Sequence, residues 1–196
     1  MPLVGWRVEV VRDFIALSDV AKQIAFWRRN LNTRRFRAGF DTLMSRAFLR
    51  RVYPPQVLSF LPSHFGAVLR KRLGRGFARH LNSSNPYVRA LLLGEASIEP
   101  QARRQSIRFI LADAASWLEP WPVRIFDGFA LSNILDGAEP AYRSRLSRAI
   151  RRAATNEAVV VSRSFAEPQP GIENNCAESD RSMLWGVVDV RNARIF

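Results

Sequence analysis

The rhythm of hydrophobic and polar positions changes halfway along the chain. From Asn32 the apolar residues Phe36, Phe40, Leu43, Met44, Ala47 and Phe48 recur at three- and four-residue intervals, while Arg34, Arg35, Arg37, Arg46 and Arg50 lie largely off that stripe. This spacing predicts an amphipathic helix with a basic exterior. Pro54, Pro55 and Pro62 interrupt it, because proline lacks the N–H that a helix interior needs. After Pro62 a second periodic set follows, Phe65, Val68, Leu69, Leu73 and Phe77, alternating with Arg70, Lys71, Arg75 and Arg79. A short third helix is marked by Asn85 as cap, Pro86 in the first turn and Gly94 as terminator.

In the second half strands and helices alternate. Ile107–Ala112 reads as a strand, Ser116 onward as a short helix stopped by Pro120 and Pro122, and Val123–Phe129 as a second strand. Pro140 opens a helix through Ala154, with Tyr142, Leu146, Ala149 and Ile150 inward and Arg143, Arg145, Arg148, Arg151 and Arg152 mostly outward. Ala158–Val161 reads as a buried strand and Met183–Val190 as the last one. The polar loop Glu167–Asp180 before it is long for a connection and suits a substrate lid or a hairpin tip. This order is that of the second half of a doubly wound α/β sheet. The chain therefore divides into a basic helical segment, 1–98, and an α/β portion, 99–196, read together as one structural unit.

Composition adds a charge asymmetry. The chain has 196 residues, 47% of them hydrophobic, enough for a full core. Residues 1–98 carry a net charge of +12 and residues 99–196 only +1. A face so charged can meet phosphates or anionic lipid headgroups, or can simply be solvated. The aromatic residues of the basic helices fall on the apolar stripe and not between the arginines, which makes nucleic acid the poorer partner. Of the 30 basic residues only Lys22 and Lys71 are lysines, a bias expected of a GC-rich bacterial genome. Cys176 is the only cysteine, so no internal disulfide asks for an oxidising compartment. No apolar run approaches the roughly 18 residues of a spanning helix. The expected location is the cytoplasm, with any membrane contact peripheral, at the inner face.

Several chemistries drop out. His64, His80 and Cys176 are too few for a zinc site, so no metal is expected. Ser132 sits in Ala130-Leu131-Ser132-Asn133, without the glycines of a hydrolase nucleophile elbow. Gly74-Arg75-Gly76 follows a helical stretch instead of a strand, so it ends a helix more plausibly than it cradles a phosphate.

What remains is a crevice. Ligands of open parallel sheets sit beyond the carboxyl ends of the strands, where Asp113 and the pair Ser132-Asn133 are expected. An ionised Asp113 can accept a hydrogen bond from an adenine amine while the Ala114 N–H donates to a ring nitrogen. Asp113 is equally suited to capping a helix that begins near Ala114. Spacing leaves both readings open.

The segments Phe126-Asp127-Gly128-Phe129-Ala130-Leu131-Ser132-Asn133-Ile134-Leu135, Asn85-Pro86-Tyr87, Leu92-Leu93-Gly94 and Asp180-Arg181-Ser182 resemble the betaine-lipid synthesis enzymes, the S-adenosylmethionine:diacylglycerol 3-amino-3-carboxypropyltransferases, and their relatives. The likeness runs from about Trp27 onward, and its sharpest piece is the F-x-L-S-N core. The basic helices, with Phe26-Trp27-Arg28 and Arg37–Asp41, look like that family's helical insertion. The resemblance implies the second half of a class I S-adenosylmethionine-dependent, Rossmann-like sheet. It implies S-adenosylmethionine as co-substrate, contacted through Asp113, Ala114, Ser132 and Asn133, and a diacylglycerol-like acceptor whose hydroxyl is deprotonated by Asp127. The alternative role of Asp127 is a strand-end carboxylate held by neighbouring N–H groups. A lipid acceptor would be met at an anionic membrane surface, with Arg34, Arg35, Arg37, Arg70 and Arg75 as the contact face.

The departure from that family lies at the start. The glycine-containing turn for the methionine end and the acid for the ribose hydroxyls are not recognisable. Residues 1–26 are too few for both strands with their helices, since one βαβ unit takes roughly 30 residues. The expectation is an incomplete transferase, with two alternatives: a non-catalytic module that needs a separate N-terminal polypeptide, or a basic nucleic-acid or anionic-membrane binding protein.

Overall fold

A computed structural model describes residues 5–95, 106–168 and 175–196. The fold is mixed α/β, with a three-stranded mixed sheet and nine α-helices among the described residues. The chain separates into two compact units. The first comprises residues 1–99 and 177–186, and the second residues 100–176 and 187–196.

The first unit is helical: α1 (Val8–Ala16), α2 (Val20–Phe26), α3 (Arg34–Leu43), α4 (Arg46–Leu49), α5 (Pro55–Ser59), α6 (Phe65–Phe77) and α7 (Pro86–Leu93). The periodic stretch from Asn32 does not run through to Phe48 as one helix. Ser45 leaves the helical conformation and its side chain accepts from the Phe48 N–H, so the hydroxyl that caps α4 also ends α3 near Met44. The third helix matches its cues: the Asn85 side chain accepts from Tyr87 N–H, Pro86 takes the first turn and Gly94 stops the helix at φ 71°. Gly74 and Gly76 lie in the last turn of α6, with no strand before them.

Aromatic rings fill the helical core. Phe14 meets Phe77 edge-on at 4.9 Å, Trp27 tilts over Phe77 at 4.8 Å, and Trp6 stacks on Phe36 at 4.4 Å. Met183 belongs to the same core and occupies the space beside Gly76, where an added Cβ would come within 2.8 Å of the Met183 Cβ. Inside this apolar mass lies one saturated amide. Gln23 is fully buried, its Nε2 donates to the carbonyls of Phe77 at 2.6 Å and His80 at 2.8 Å, and its Oε1 accepts from the Asn82 N–H at 2.9 Å. Asn82 continues the network by donating to the Phe14 carbonyl at 3.2 Å.

The second unit holds α8 (Ala114–Leu118), β1 (Phe126–Ser132), α9 (Pro140–Ala153), β2 (Ala154–Ser164) and β3 (Val187–Asn192). β1 and β2 run parallel, joined through α9, and β3 pairs antiparallel to β2 in the order β1-β2-β3. Leu146, Ala149, Ile150 and Ala153 of α9 pack with Ala115 and Leu118 of α8 and with Ala158 and Val160 of β2. The arginines of α9 are left outside this seam, as the helical spacing predicts.

Four expectations need correction here. Ile107–Ala112 forms no strand: Ile107 is 72% exposed, Phe109 92%, and the segment joins no sheet among the described residues. An apolar run becomes a strand only where a partner chain segment is alongside. The expected strand Val123–Phe129 begins three residues later, because Arg124 adopts a left-handed φ of 60° that breaks extension, and it runs on to Ser132, paired with Ser162. The buried strand Ala158–Val161 is longer on both sides, Ala154–Ser164, since β1 and β3 hold different parts of it. The last strand begins at Val187 and not at Met183, whose φ of 63° turns the chain into the helical core. A full doubly wound sheet is not formed by the described residues.

The saturated amide makes a stability prediction. Gln23→Ala strands two carbonyls and one N–H in the helical core, and equilibrium urea unfolding is expected to show a loss of about 3 kcal/mol, with Gln23→Glu no better at neutral pH because a buried carboxylate cannot donate to the carbonyls.

Candidate functional site

The carboxyl end of β1 is built from local turn chemistry. Ser132 closes the strand at a left-handed φ of 47°, uncommon for a residue with a Cβ, and the chain then turns through Asn133, Asp136 and Gly137. The Asp136 N–H donates to the Asn133 carbonyl at 3.0 Å, and the Ile134 N–H to that of Leu131 at 3.2 Å. The Ser132 hydroxyl lies 3.4 Å from the Asn133 Oδ1.

Asp136 joins the ends of the two parallel strands. Its carboxylate accepts from the Ser164 hydroxyl at 2.5 Å and from the Phe165 N–H at 3.1 Å. Burial raises its pKa above the ordinary 3.8 despite the lowering effect of those two hydrogen bonds and of Arg143. A half-buried carboxyl with an elevated pKa, in the turn that follows Ser132 and Asn133, is a group that can serve as a general base. Sequence reasoning passed over Asp136. The only sequence signal was an acid three residues after the Ser132-Asn133 pair.

Asp127 stands elsewhere. It is the second residue of β1, exposed, and its carboxylate accepts from the Thr155 hydroxyl at 3.0 Å. Four residues of extended chain, Gly128–Leu131, separate it from Ser132, so the structure does not bring Asp127 to the crevice end.

Asp113 caps α8. Its Oδ1 accepts from the Ser116 N–H and from the Ser116 hydroxyl, both at 2.8 Å. The backbone hydrogen bond of Ser116, followed by that of its hydroxyl, holds the carboxyl below its ordinary 3.8. Arg145 stands 3.6 Å from Asp113 and clamps Glu119 in a two-pronged contact of 2.6 and 2.7 Å. Tyr142 is pushed up by burial and then by its hydrogen bond to Asp113. The carboxylate is therefore engaged, and the cap reading of this residue is the one its contacts display. A hollow of about 300 Å³ opens beside it, lined by Arg108, Ile110, Ala112, Ala114 and Trp117. Ala114 is the first residue of α8, so its N–H needs no partner within the helix.

The five arginines assigned to a contact face are not alike. Arg34, Arg35 and Arg37 of α3 are exposed. Arg70 grips Asp41 through two nitrogens, at 3.1 and 2.7 Å, with its side chain only 15% exposed. Arg75 lies 3.9 Å from Glu178 and 3.4 Å from the Ala177 carbonyl. No group of three metal-ligating side chains occurs among the described residues, and no described helix is long and apolar enough to cross a membrane. Cys176 is exposed. Of the loop 167–180, residues 169–174 lie outside the described residues, while Glu178 pairs with Arg79 at 3.0 Å.

Comparison with protein-family models, curated proteins and solved structures finds no match to this chain.

The cap geometry is open to test by its pH dependence. Because the folded pKa of Asp113 is depressed, its stabilising contribution is present above 3.8 and disappears as pH falls through the folded value. Thermal melts are expected to show Asp113→Ala less stable than the parent at neutral pH, the two converging in acid, with Asp113→Ser restoring most of the loss.

Proposed function

We propose that the chain carries the adenine and acceptor side of an S-adenosylmethionine-dependent transferase of the betaine-lipid type, in a Rossmann-like sheet. The observation that carries this reading is the hollow of about 300 Å³ at the start of α8. It offers an indole face at Trp117 for a planar base, apolar walls at Ile110 and Ala112, and the Ala114 N–H as a donor to a ring nitrogen. In this reading Asp113, which caps α8 beside the hollow, is the acceptor for the exocyclic amine.

S-adenosylmethionine supplies an electrophilic carbon on its sulfonium. In this reading a lipid hydroxyl attacks the amino-carboxypropyl carbon, the carbon–sulfur bond breaks, and methylthioadenosine leaves with the electron pair. Asp136 receives the hydroxyl proton, taking the role first given to Asp127, because a half-buried carboxyl with a raised pKa is a stronger base than an exposed strand residue. Ser132 and Asn133, at the carboxyl end of β1, orient the acceptor hydroxyl. Arg34, Arg35 and Arg37 hold the chain against anionic headgroups, while Arg70 and Arg75 serve internal pairs.

A second reading is favoured by one observation. β1 is an edge strand whose outer side is unpaired among the described residues, and Ile107, Phe109, Leu111 and Val123 of the same unit are exposed. Parallel strands are ordinarily covered and flanked. In this reading a separate polypeptide adds strands beside β1 and completes the cofactor site.

Calorimetric titration with S-adenosylmethionine and with methylthioadenosine tests both. Binding by the chain alone, weakened about tenfold by Trp117→Ala, supports the first reading; binding only after a partner polypeptide is added supports the second; no binding in either case overturns the assignment. With an acceptor lipid in vesicles, Asp136→Asn is expected to abolish transfer while leaving the affinity for methylthioadenosine within about twofold. The acidic limb of the rate profile should lie above the ordinary carboxyl value of 3.8, since the base works only when ionised and its pKa is raised. Separately, the triple change of Arg34, Arg35 and Arg37 to Glu should release the chain from anionic vesicles in a sedimentation assay; retained binding would remove the membrane face from the proposal.

A further inference from the structure

A cavity in the helical unit is lined by none of the residues of the transferase reading. It is a depression of about 530 Å³ between the α3–α4 corner and the start of α6. Met44, Leu49, Leu61 and Phe65 give it apolar walls, and its mouth carries Arg46, Ser63 and His64. That volume falls in the range of small-molecule sites, about 300–1,000 Å³.

Charge at this cavity is one-sided. Asp41 is its one acidic wall residue, and both carboxylate oxygens are held by Arg70 at 3.1 and 2.7 Å. Arg46 is different: its Nη2 donates to the Leu61 carbonyl at 3.1 Å, and no carboxylate of the described residues pairs with it. That neutral acceptor fixes the guanidinium at the mouth without cancelling its charge. The first turn of α6, a thirteen-residue helix, ends at the same mouth and adds the positive end of its dipole. An apolar interior under a fixed, uncompensated cation is complementary to a molecule with an alkyl body and one negative end.

We propose that this cavity binds a single-chain amphiphilic anion, an alkyl carboxylate, with its chain against Met44, Leu49, Leu61 and Phe65 and its carboxylate on Arg46. The site is independent of the transferase reading. No bond is made or broken in it. The carboxylate replaces water at the Nη and Nε groups of Arg46 that the Leu61 carbonyl leaves free.

Isothermal titration of the full chain with decanoate, below its micelle concentration, tests the site against two matched probes, decanol and decyltrimethylammonium. One saturable decanoate site is expected, with affinity falling about fourfold for each methylene removed from the chain. Arg46→Gln, which keeps a donor for the Leu61 carbonyl, should weaken decanoate about tenfold or more and leave decanol unchanged. Ala67→Phe places a ring in the cavity from an exposed position of its wall and should abolish binding of both. Ser63→Phe does the same from the mouth and replaces Ala67→Phe as the test if that variant melts early. Binding of decyltrimethylammonium as tight as that of decanoate, equal decanoate affinity in Arg46→Gln, or binding undiminished by a filled cavity in a folded variant overturns the proposal. So does the absence of a saturable decanoate site.

Discussion

The helical unit depends on one side chain whose every polar atom is spent. Gln23, on a seven-residue helix, satisfies the carbonyl of Phe77 at the end of α6, that of His80 beyond it, and the N–H of Asn82 where the chain turns back. In the last turn of α6 the carbonyls of Gly74, Arg75 and Gly76 accept from the N–H groups of Ala78, Arg79 and His80, and the buried carbonyl of Phe77 is taken by Gln23. Gln23 is the group that lets α6 end there. The rings of Phe14, Trp27 and Phe77 supply most of the apolar contact, but apolar packing is tolerant of small rotations. The amide fixes which end of α6 faces α2 and so where Arg75 and Arg79 emerge.

The sheet unit is organised by a different constraint, the sharing of β2. Its eleven residues pair with β1 on one side and β3 on the other, and Val159, Val160, Val161 and Ser162 are paired on both. Asp136 ties this doubly paired strand to the turn after β1 through Ser164 and Phe165. A carboxyl kept half-buried by backbone that is itself locked can hold a raised pKa, whereas the same acid on a loose loop would be hydrated and ordinary. The rigidity of β2 is thus part of the chemistry available at the end of β1.

How far the sequence could be read follows the range of each interaction. α7 was legible to its boundaries because Asn85, Pro86 and Gly94 act within one turn of themselves. The inward face of α9 was legible because helical spacing alone separates Leu146 and Ile150 from Arg148 and Arg151. Ile107–Ala112 was misread because a strand is a property of two segments, and the second is not among those described. Arg70 and Arg75 looked like surface cations because periodicity says which face they share, but not that Asp41 and Glu178 lie across from them. Asp136 was missed for the same reason: its burial comes from residues 28 and 29 positions further on. For Asp113 the local cues allowed a cap or a ligand contact, and the cap is the one its contacts display.

The helical unit is not a continuous piece of chain. Its last segment, 177–186, brings Met183 into the aromatic core, the Arg181 carbonyl to the Asn85 amide at 2.8 Å, and the Leu184 carbonyl to Arg72 at 3.0 Å. During synthesis, then, the first helices emerge long before the residues that close their core, and nearly the whole sheet unit has left the ribosome by the time Met183 arrives. Until then the space beside Gly76 is open and the end of α6 is incompletely covered. The order of translation makes the helical unit, although first in sequence, dependent on the second for the moment at which it can finish folding.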